Sequence, residues 1–246
     1  MTTTKQLNIS NLLDLWKNAT QPFKTFNEDG SIGFCFIKNS QWPNKIWLKE
    51  THSTSILNDI SLLLKSGLDN LTFSYFDKDS EKMNLIFDYY GFNQVSYQYG
   101  MSLNLKELNP FEIKTPLKFE LVTDSDKARL WSNTFKMAFG YQISEETIDK
   151  TFEKINYYNI YMHDKISGTV ICHKTSTTLG VHSLGIIPTM RGKGLATQIM
   201  YKIVNDAIVN GTELATLQAS QMAKSMYEKM GFKTDFLMRN YKLKIT

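Results

Sequence analysis

The sequence contains few cysteines and no long apolar run. Only two of its 246 residues are cysteines, Cys35 and Cys172, so a disulfide framework is excluded. Both lie in apolar stretches, which predicts reduced thiols in the core. No apolar segment approaches the roughly 18 residues of a membrane span, and the residues after Met1 lack the apolar core of a signal peptide. We therefore expect a cytoplasmic protein with no membrane partner.

Arginine is also scarce, and the charge is unevenly distributed. The net charge is +4, and only Arg129, Arg191 and Arg239 are arginines. Residues 1–117 hold 11 basic and 12 acidic side chains, whereas residues 118–246 hold 17 and 12. Because there is no basic tract or arginine-rich stripe, we expect no nucleic-acid partner. A small anionic ligand fits the basic excess of the second half.

The second half alternates regularly between strand and helix patterns. From residue 118 onward the order is βααβββαβαβ, which is typical of an α/β (α+β) fold with helices flanking a mixed, mostly antiparallel sheet. A strand at 178–187 is ended by Pro188. An amphipathic helix begins at Leu195 and ends at Asn210-Gly211.

The first half has a similar but weaker pattern. Strands are predicted at 32–38 and 44–48, followed by helix 53–65, strand 71–76, helix 81–90 and a long strand at 94–105. The passage from helix through Gly91 to the last strand is repeated at Gly231. A weak internal duplication is therefore plausible, with residues 109–116 as a linker.

The most informative segment runs from Leu184 to Ala196. A strand ends, a glycine-rich turn with Gly192 and Gly194 follows, and a helix starts at once. The N–H groups of a first helical turn have no intrahelical partners and lie at the positive end of the helix dipole, so they favour a phosphate or pyrophosphate. The glycine spacing matches neither the phosphate loop nor the dinucleotide-binding fingerprint. On glycine spacing alone, a plain strand-to-helix turn fits equally well.

The segment Arg191-Gly192-Lys193-Gly194-Leu195-Ala196 resembles the (Q/R)-x-x-G-x-(G/A) signature of the GNAT N-acetyltransferase superfamily. The preceding Leu184-Gly185-Ile186-Ile187-Pro188 is similar to the family's L-x-V-x-P strand. Further on, Tyr227, Gly231 and Phe232 are similar to its Y-x-x-x-G-F signature. The resemblance covers about residues 117–246, and it implies a GNAT fold that uses acetyl-CoA as co-substrate.

The resemblance also implies which residues bind acetyl-CoA. The pyrophosphate would lie on the backbone N–H groups between Arg191 and Ala196, with the side chains of Arg191 and Lys193 near the phosphates. The pantetheine arm would pair with the strand at Ile186 and Ile187. The full set of expected binding residues is Ile186, Ile187, Arg191, Gly192, Lys193, Gly194, Leu195, Ala196, Thr197 and Ser220.

Two residues are candidates for the chemistry. Tyr227 stands where family members hold a tyrosine that protonates the leaving thiolate; the alternative interpretation is a core aromatic on a short helix. His182 stands where many members hold a base. It could act as the base directly or through water, or it could have a purely structural role. Strict strand alternation would place His182, Leu184 and Ile186 on one face of the sheet. Ser220 replaces the family's usual asparagine.

We expect an acetyl-CoA-dependent N-acetyltransferase with a small-molecule or peptide amine as acceptor, and a homodimer is compatible with the sequence. The first half lacks the signature between its strand and helix, at 47–52, and is interpreted as a degenerate copy. The expected domains are 1–115 and 116–246. The histidines and cysteines show no metal-ligand spacing, so no metal is expected. A non-catalytic acyl-CoA sensor or scaffold, or a transferase with another acyl donor, is the alternative.

Overall fold

The computed structural model describes residues 2–28, 30–49, 55–65, 71–77 and 81–244. Within these ranges the helices are α1 (Thr4–Thr20), α2 (Ser55–Lys65), α3 (Glu81–Tyr89), α4 (Ser125–Phe139), α5 (Glu145–Asp149), α6 (Leu195–Val209) and α7 (Lys224–Lys229). The strands are β1 (Phe26–Asn27), β2 (Ile32–Cys35), β3 (Lys45–Leu48), β4 (Thr72–Asp77), β5 (Phe92–Asn104), β6 (Leu117–Leu121), β7 (Asn156–Met162), β8 (Lys165–Thr175), β9 (Thr178–Ile186), β10 (Leu214–Ala219) and β11 (Lys233–Leu243). Short 3₁₀ turns occur at Gln21–Phe23 and Pro188–Met190.

All of these strands form one sheet in the order β1-β2-β3-β4-β11-β5-β10-β9-β8-β7-β6. Two neighbouring pairs, β3–β4 and β9–β10, are parallel, and the other pairs are antiparallel. The mixed, mostly antiparallel sheet predicted from the sequence is thus confirmed, as is the βααβββαβαβ order of the second half.

The two halves of the chain exchange their last strands. β5, which ends the first half, pairs antiparallel with β10 of the second half. β11, which ends the second half, lies between β4 and β5 and pairs with both. Each half therefore lays its final strand beside the parallel strand pair of the other. The sheet is continuous across the two halves, and the division at residues 115 and 116 stays a prediction.

Helix α1 was not predicted from the sequence, yet its N-terminus has a clear signal. Thr3 and Gln6 form a capping box, in which the Thr3 side chain accepts from the Gln6 N–H and the Gln6 side chain accepts from the Thr3 N–H. Its apolar residues pack on both halves of the sheet. Leu15 joins the core around Trp131, and Trp16 contacts Trp47 with ring centroids 5.6 Å apart. The helix therefore lies across the junction of the two halves.

Two further cores are covered by the remaining long helices. In the first half, Ile60 of α2 and Phe87 of α3 bury Phe73 of the sheet. In the second half, Ile199 of α6 packs on Leu217 of β10 with other buried residues. In the described part of the chain, no helix is long and apolar enough to cross a membrane.

Candidate functional site

The parallel strands β9 and β10 pair over a short stretch and then separate. Their ladder joins Thr178, Leu179 and Gly180 to residues 214–216, and β9 continues to Ile186 without further pairing to β10. A wedge therefore opens between the two strands on the side of their C-terminal ends. Backbone groups on the open edge of β9 beyond Gly180 are free of the β9–β10 ladder, so an extended ligand can pair with them.

A bulge in β9 changes which side chains face this wedge. Ser183 has a positive φ of 53°, and the register with β8 shifts so that His182 pairs with Ile171 while Gly185 pairs with Thr169. Because Ile171 and Thr169 are two residues apart on β8, they share a face, and His182 therefore shares a face with Gly185. The predicted strict alternation of His182, Leu184 and Ile186 was wrong, since the bulge adds one residue to β9.

A cavity of about 230 Å³ occupies the wedge and extends toward the first half of the chain. It brings together three residues predicted from the sequence, which are His182, Ser220 and Tyr227. Its walls include aromatic side chains from α1 and from the segments at residues 42 and 139–141. The aromatic residues at its border are Trp16, Trp42, Phe139 and Tyr141.

The glycine-rich turn has the geometry predicted for an anion site. Gly192 and Gly194 have φ values of 75° and 71°, which favour glycine, and a Cβ added at either would meet no atom within 4 Å. Gly194 is the N-cap of α6, and the Gln198 N–H donates to its carbonyl. The first-turn N–H groups, including those of Leu195, Ala196 and Thr197, precede this bond and have no carbonyl one helical turn back. The donors fit a pyrophosphate.

The two basic side chains of the turn have protein partners. Arg191 Nε donates to the Ile186 carbonyl at 3.0 Å, and its Nη2 donates to the Ala138 carbonyl at 2.7 Å. The guanidinium thus fastens the end of β9 to the last turn of α4. Lys193 Nζ lies 3.9 Å from Met190 Sδ. Direct contact of either side chain with a phosphate stays a prediction, while Arg191 has a clear role in positioning the turn.

Ile186 and Ile187 link the wedge to this turn. Ile186 is the last residue of β9, and the Ile187 N–H donates to the Ser167 carbonyl at 3.0 Å. Their side chains pack with Met190 and Leu195 in a small apolar cluster beneath the turn. An extended chain entering along this edge would therefore run from the glycine-rich turn toward the cavity.

Tyr227 is held in α7 with its ring in the core and borders the cavity. Its side chain is 7% exposed, and its ring contacts Phe232 edge-on, with centroids 5.7 Å apart. Burial raises the pKa of Tyr227 to about 12, so the phenol keeps its proton at neutral pH. Among the described residues its hydroxyl has no hydrogen-bond partner. Ser220 begins the turn before α7, where its hydroxyl accepts from the Ala223 N–H at 3.3 Å.

His182 lies at the centre of a buried polar chain. Its Nδ1 is 3.1 Å from Gln218 Oε1, and its Nε2 is 3.1 Å from Asn11 Oδ1. The amide orientations are fixed from outside, because Asn11 Nδ2 donates to the His173 carbonyl and Gln218 Nε2 donates to Asn8 Oδ1. Burial lowers the pKa of His182 to about 3, and the nearby His173 contributes to the decrease. The contact with Gln218 has a smaller effect in the opposite direction. The ring is therefore neutral at physiological pH.

Sequence reasoning missed the residues that the first half contributes to this site. Asn8 and Asn11 come from α1, Gln98 from β5 and Lys45 from β3, and the last two line the cavity. The Gln98 side chain donates to the Gln218 carbonyl at 3.2 Å. The capping box of α1 was a usable signal for the helix. No local sequence pattern indicated that these residues of the first half would contact the site in the second half.

Among the described residues, no group of three or more histidine, cysteine, aspartate or glutamate side chains is arranged to hold a metal ion. The buried His173 is instead paired with Asp14 of α1, with Nε2 and Oδ2 2.7 Å apart. His163 lies at the exposed turn between β7 and β8.

Comparison with known proteins agrees with this geometry. Residues 123–241 match the acetyltransferase (GNAT) domain family. A GCN5-related N-acetyltransferase from Kribbella flavida has a TM-score of 0.70 at 12% identity, and the match covers 97% of this chain and 96% of that one. A functionally unknown conserved protein from Staphylococcus epidermidis has a TM-score of 0.65 at 18% identity, over 89% and 93% of the two chains.

A tandem GNAT protein from the clavulanic acid biosynthesis pathway has a TM-score of 0.58 at 9% identity, over 98% of this chain and 96% of that one. No curated protein has a significant sequence match. Such low identities establish the fold alone. Residues 123–241 therefore form an acetyltransferase (GNAT) domain, set in a GNAT fold that spans the chain and is similar to that of a tandem GNAT protein.

Proposed function

We propose that the protein is an acetyl-CoA-dependent N-acetyltransferase that acetylates a primary amine by direct attack on the thioester. The observation that carries the proposal is the continuity of the glycine-rich turn, the open edge of β9 and the cavity beside Tyr227. A pyrophosphate, an extended uncharged arm and a thioester fit these three features in that order.

The donor would be held by the backbone and not by a charged pocket. The N–H groups from Gly192 to Thr197 would receive the pyrophosphate. The positive φ values at residues 192 and 194 favour glycine, which has no side chain to obstruct a phosphate. Ile186 and Ile187 would pair with the pantetheine arm through their backbone. GNAT proteins use acyl-CoA, and acetyl-CoA is the donor proposed here.

Tyr227 would act as the general acid. As the amine nitrogen bonds to the acyl carbon and the carbon–sulfur bond breaks, the phenol would give its proton to the leaving thiolate. The resulting phenolate would recover a proton from the nitrogen that has become an amide, directly or through water. The raised pKa of Tyr227 keeps the phenol protonated at neutral pH. Because such a phenol is a weaker acid than a thiol, its proton transfer to the thiolate depends on the proton that the phenolate regains from the nitrogen.

The acceptor must lose a proton before it attacks. His182 was predicted as the base, and its lowered pKa makes it a weak proton acceptor, which favours a route through water in the cavity. We propose that His182 has mainly a positioning role at the wedge: as a neutral ring it donates one hydrogen bond, to the amide oxygen of either Gln218 or Asn11, and both oxygens lie 3.1 Å from its ring nitrogens.

The proposal is tested by a thermal-shift titration with acetyl-CoA, CoA and ATP, followed by an assay of amine-dependent CoA release. A donor at 100 times its dissociation constant should add about 2.7 kcal/mol to the free energy of unfolding. Stabilisation by acetyl-CoA and CoA but not ATP, together with CoA release in the presence of an amine, is the expected result. Binding without release on a broad amine panel would favour the non-catalytic sensor, and no binding at all would remove the acetyl-CoA proposal.

A further inference from the structure

Lys45 places a cation in the wall of the cavity, and nothing in the glycine-rich signature accounts for it. It comes from β3 of the first half, far in sequence from every residue of the donor site. Among the described lining residues it is the only one that carries a full positive charge, and none of them is an aspartate or glutamate. Among the described lining residues, the only full charge at the cavity is therefore positive.

The ammonium group is fixed by neutral partners. Lys45 Nζ donates to Thr72 Oγ1 at 2.8 Å and to Asn240 Oδ1 at 2.9 Å. Asn240 is held in turn, because its Oδ1 also accepts from Ser74 Oγ at 2.7 Å and its Nδ2 donates to Ser96 Oγ at 3.2 Å. These side chains come from β4, β5 and β11, so three strands hold the lysine in place.

This arrangement leaves a partly buried cation with no counter-ion among the residues that the structure describes. An ammonium has three N–H donors, and two of those of Lys45 have acceptors among the described residues. Burial lowers the pKa of Lys45 to about 8. Cys35 opposes this shift and Lys242 adds to it, both with smaller effects. Lys45 is therefore still mostly charged at neutral pH. Cys35, the neighbour on β2, is a neutral thiol, since burial raises its pKa to about 12. A charge removed from water in this way gains most from an anion that completes its coordination.

The donor does not supply that anion. The phosphates of acetyl-CoA would lie at the turn from Gly192 to Thr197, and the pantetheine arm and thioester that reach the wedge are uncharged. An anionic group near Lys45 must therefore belong to the other substrate. The aromatic border formed by Trp16, Trp42, Phe139 and Tyr141 would contact an apolar part of the same molecule.

On the basis of the proposed function, we propose that the acceptor is a small amine that also carries an anionic group, a carboxylate or a phosphate, and that Lys45 binds this group. α-Amino acids with apolar side chains have this chemistry. Polyamines and lysine-rich peptides do not, because Lys45 would repel their additional positive charges and no described lining residue offers a compensating carboxylate.

Matched acceptor pairs test the proposal in steady-state kinetics with acetyl-CoA. Phenylalanine is compared with phenethylamine, which differs only by the carboxylate, and 2-aminoethyl phosphate and β-alanine are each compared with ethylamine. The wild-type protein should prefer the anionic member of at least one comparison by about tenfold or more in kcat/KM. A preference for 2-aminoethyl phosphate would identify the anion as a phosphate, and a preference for phenylalanine or β-alanine would identify it as a carboxylate. Equal use of the anionic amines and their counterparts without the anion would overturn the proposal.

Lys45→Met should lower kcat/KM for the preferred anionic amine by about 10- to 100-fold, mainly through KM, and should abolish the preference. Lys45→Arg, which keeps the charge, should retain part of it, and Lys45→Gln serves if the methionine variant does not fold. The matched control is Lys233→Met, which removes an exposed lysine at the start of β11 and should leave the preference unchanged. A preference that survives in Lys45→Met and Lys45→Gln would contradict the role of Lys45.

Binding without turnover separates this proposal from the proposed function. N-Acetylphenylalanine, the product-like carboxylate, is titrated calorimetrically into the wild-type protein and Lys45→Met. Binding that requires Lys45, with no CoA release from any amine, would support the anion site and refute the transferase. Amine-dependent CoA release without an anion preference and without Lys45-dependent binding would support the transferase and refute the anion site.

Discussion

At the scale of single residues, the site depends on two buried side chains and one partly buried side chain, and loss of water shifts the pKa of each. Burial raises the pKa of Tyr227 to about 12 and lowers those of His182 and Lys45 to about 3 and about 8. In each case the cause is the loss of water around the charged form. A neutral phenol, a neutral imidazole and a cation with one N–H donor that has no acceptor among the described residues are therefore present at one cavity at neutral pH.

Tyr227→Phe removes the proposed acid and little else. The ring should still pack against Phe232, and the hydroxyl has no protein partner to leave unsatisfied among the described residues. Turnover is expected to fall by about 100-fold or more, because the thiolate would leave without a proton donor, while the affinity for CoA should be nearly unchanged. Single-turnover kinetics and a CoA titration measure the two effects. Turnover at the wild-type rate would rule out Tyr227 as the acid.

The lowered pKa of His182 predicts acid destabilisation. In the unfolded chain a histidine takes up a proton near pH 6.5, whereas in the folded chain the ring resists protonation until about pH 3. The unfolded state therefore binds more protons between these values, and the contribution of His182 to stability should fall by up to about 1.4 kcal/mol per pH unit as the pH decreases from 6.5.

Denaturant melts at several pH values check this, using His182→Gln as the variant. Its loss of stability on acidification should be shallower than that of the wild type. His163→Gln, which changes an exposed histidine, should keep the wild-type slope. If His182→Gln and the wild type lose stability in parallel between pH 6.5 and 4, the ring is not held neutral.

At the scale of elements, what could be predicted depended on how local the signal was. The glycine-rich turn and α6 were predictable because the turn needs glycines at positive φ and the helix follows at once. The bulge at Ser183 was not, since serine carries no strong preference for that backbone conformation. α1 was missed although Thr3 and Gln6 signal its start, and with it the contacts of Asn8 and Asn11 were missed.

Gly194→Asp tests the turn as an anion site, with Gly194→Asn as a matched control. The two side chains are nearly the same size, and both tolerate a positive φ better than other residues do. The aspartate should weaken acetyl-CoA binding by at least about tenfold more than the asparagine, because its charge faces the pyrophosphate. Calorimetric titration gives both affinities. Equal affinities would show that no phosphate lies beside residue 194.

At the scale of the whole molecule, the exchanged strands make the two halves one structure. Gly100 of β5 shows how closely they fit, because a Cβ added there would lie 2.2 Å from the ring of Phe236 in β11. This contact joins residues 136 positions apart, and no local pattern could have predicted it. Pairing between distant strands is decided by the complete sheet, which is why the helices and strands were easier to predict than their order in space.

Gly100→Val should therefore destabilise the whole molecule and not one half. Forcing the Phe236 ring to move should cost about 1–3 kcal/mol. Val95→Thr, at an exposed position of the same strand, is the control and should change stability by less than about 0.5 kcal/mol. Differential scanning calorimetry should show a single transition for both, with equal calorimetric and van't Hoff enthalpies. Separate transitions for two halves would contradict this.

The exchange of β5 and β11 also has a consequence for synthesis. As the chain leaves the ribosome, β5 emerges long before either of its neighbours, since β10 begins at Leu214 and β11 at Lys233. During this interval one edge of β4 and both edges of β5 expose unpaired backbone groups, which are open to wrong pairing with other nascent chains. Slow translation of the second half would prolong that exposure, so the yield of folded protein in a cell should depend on chaperones that bind the emerging first half.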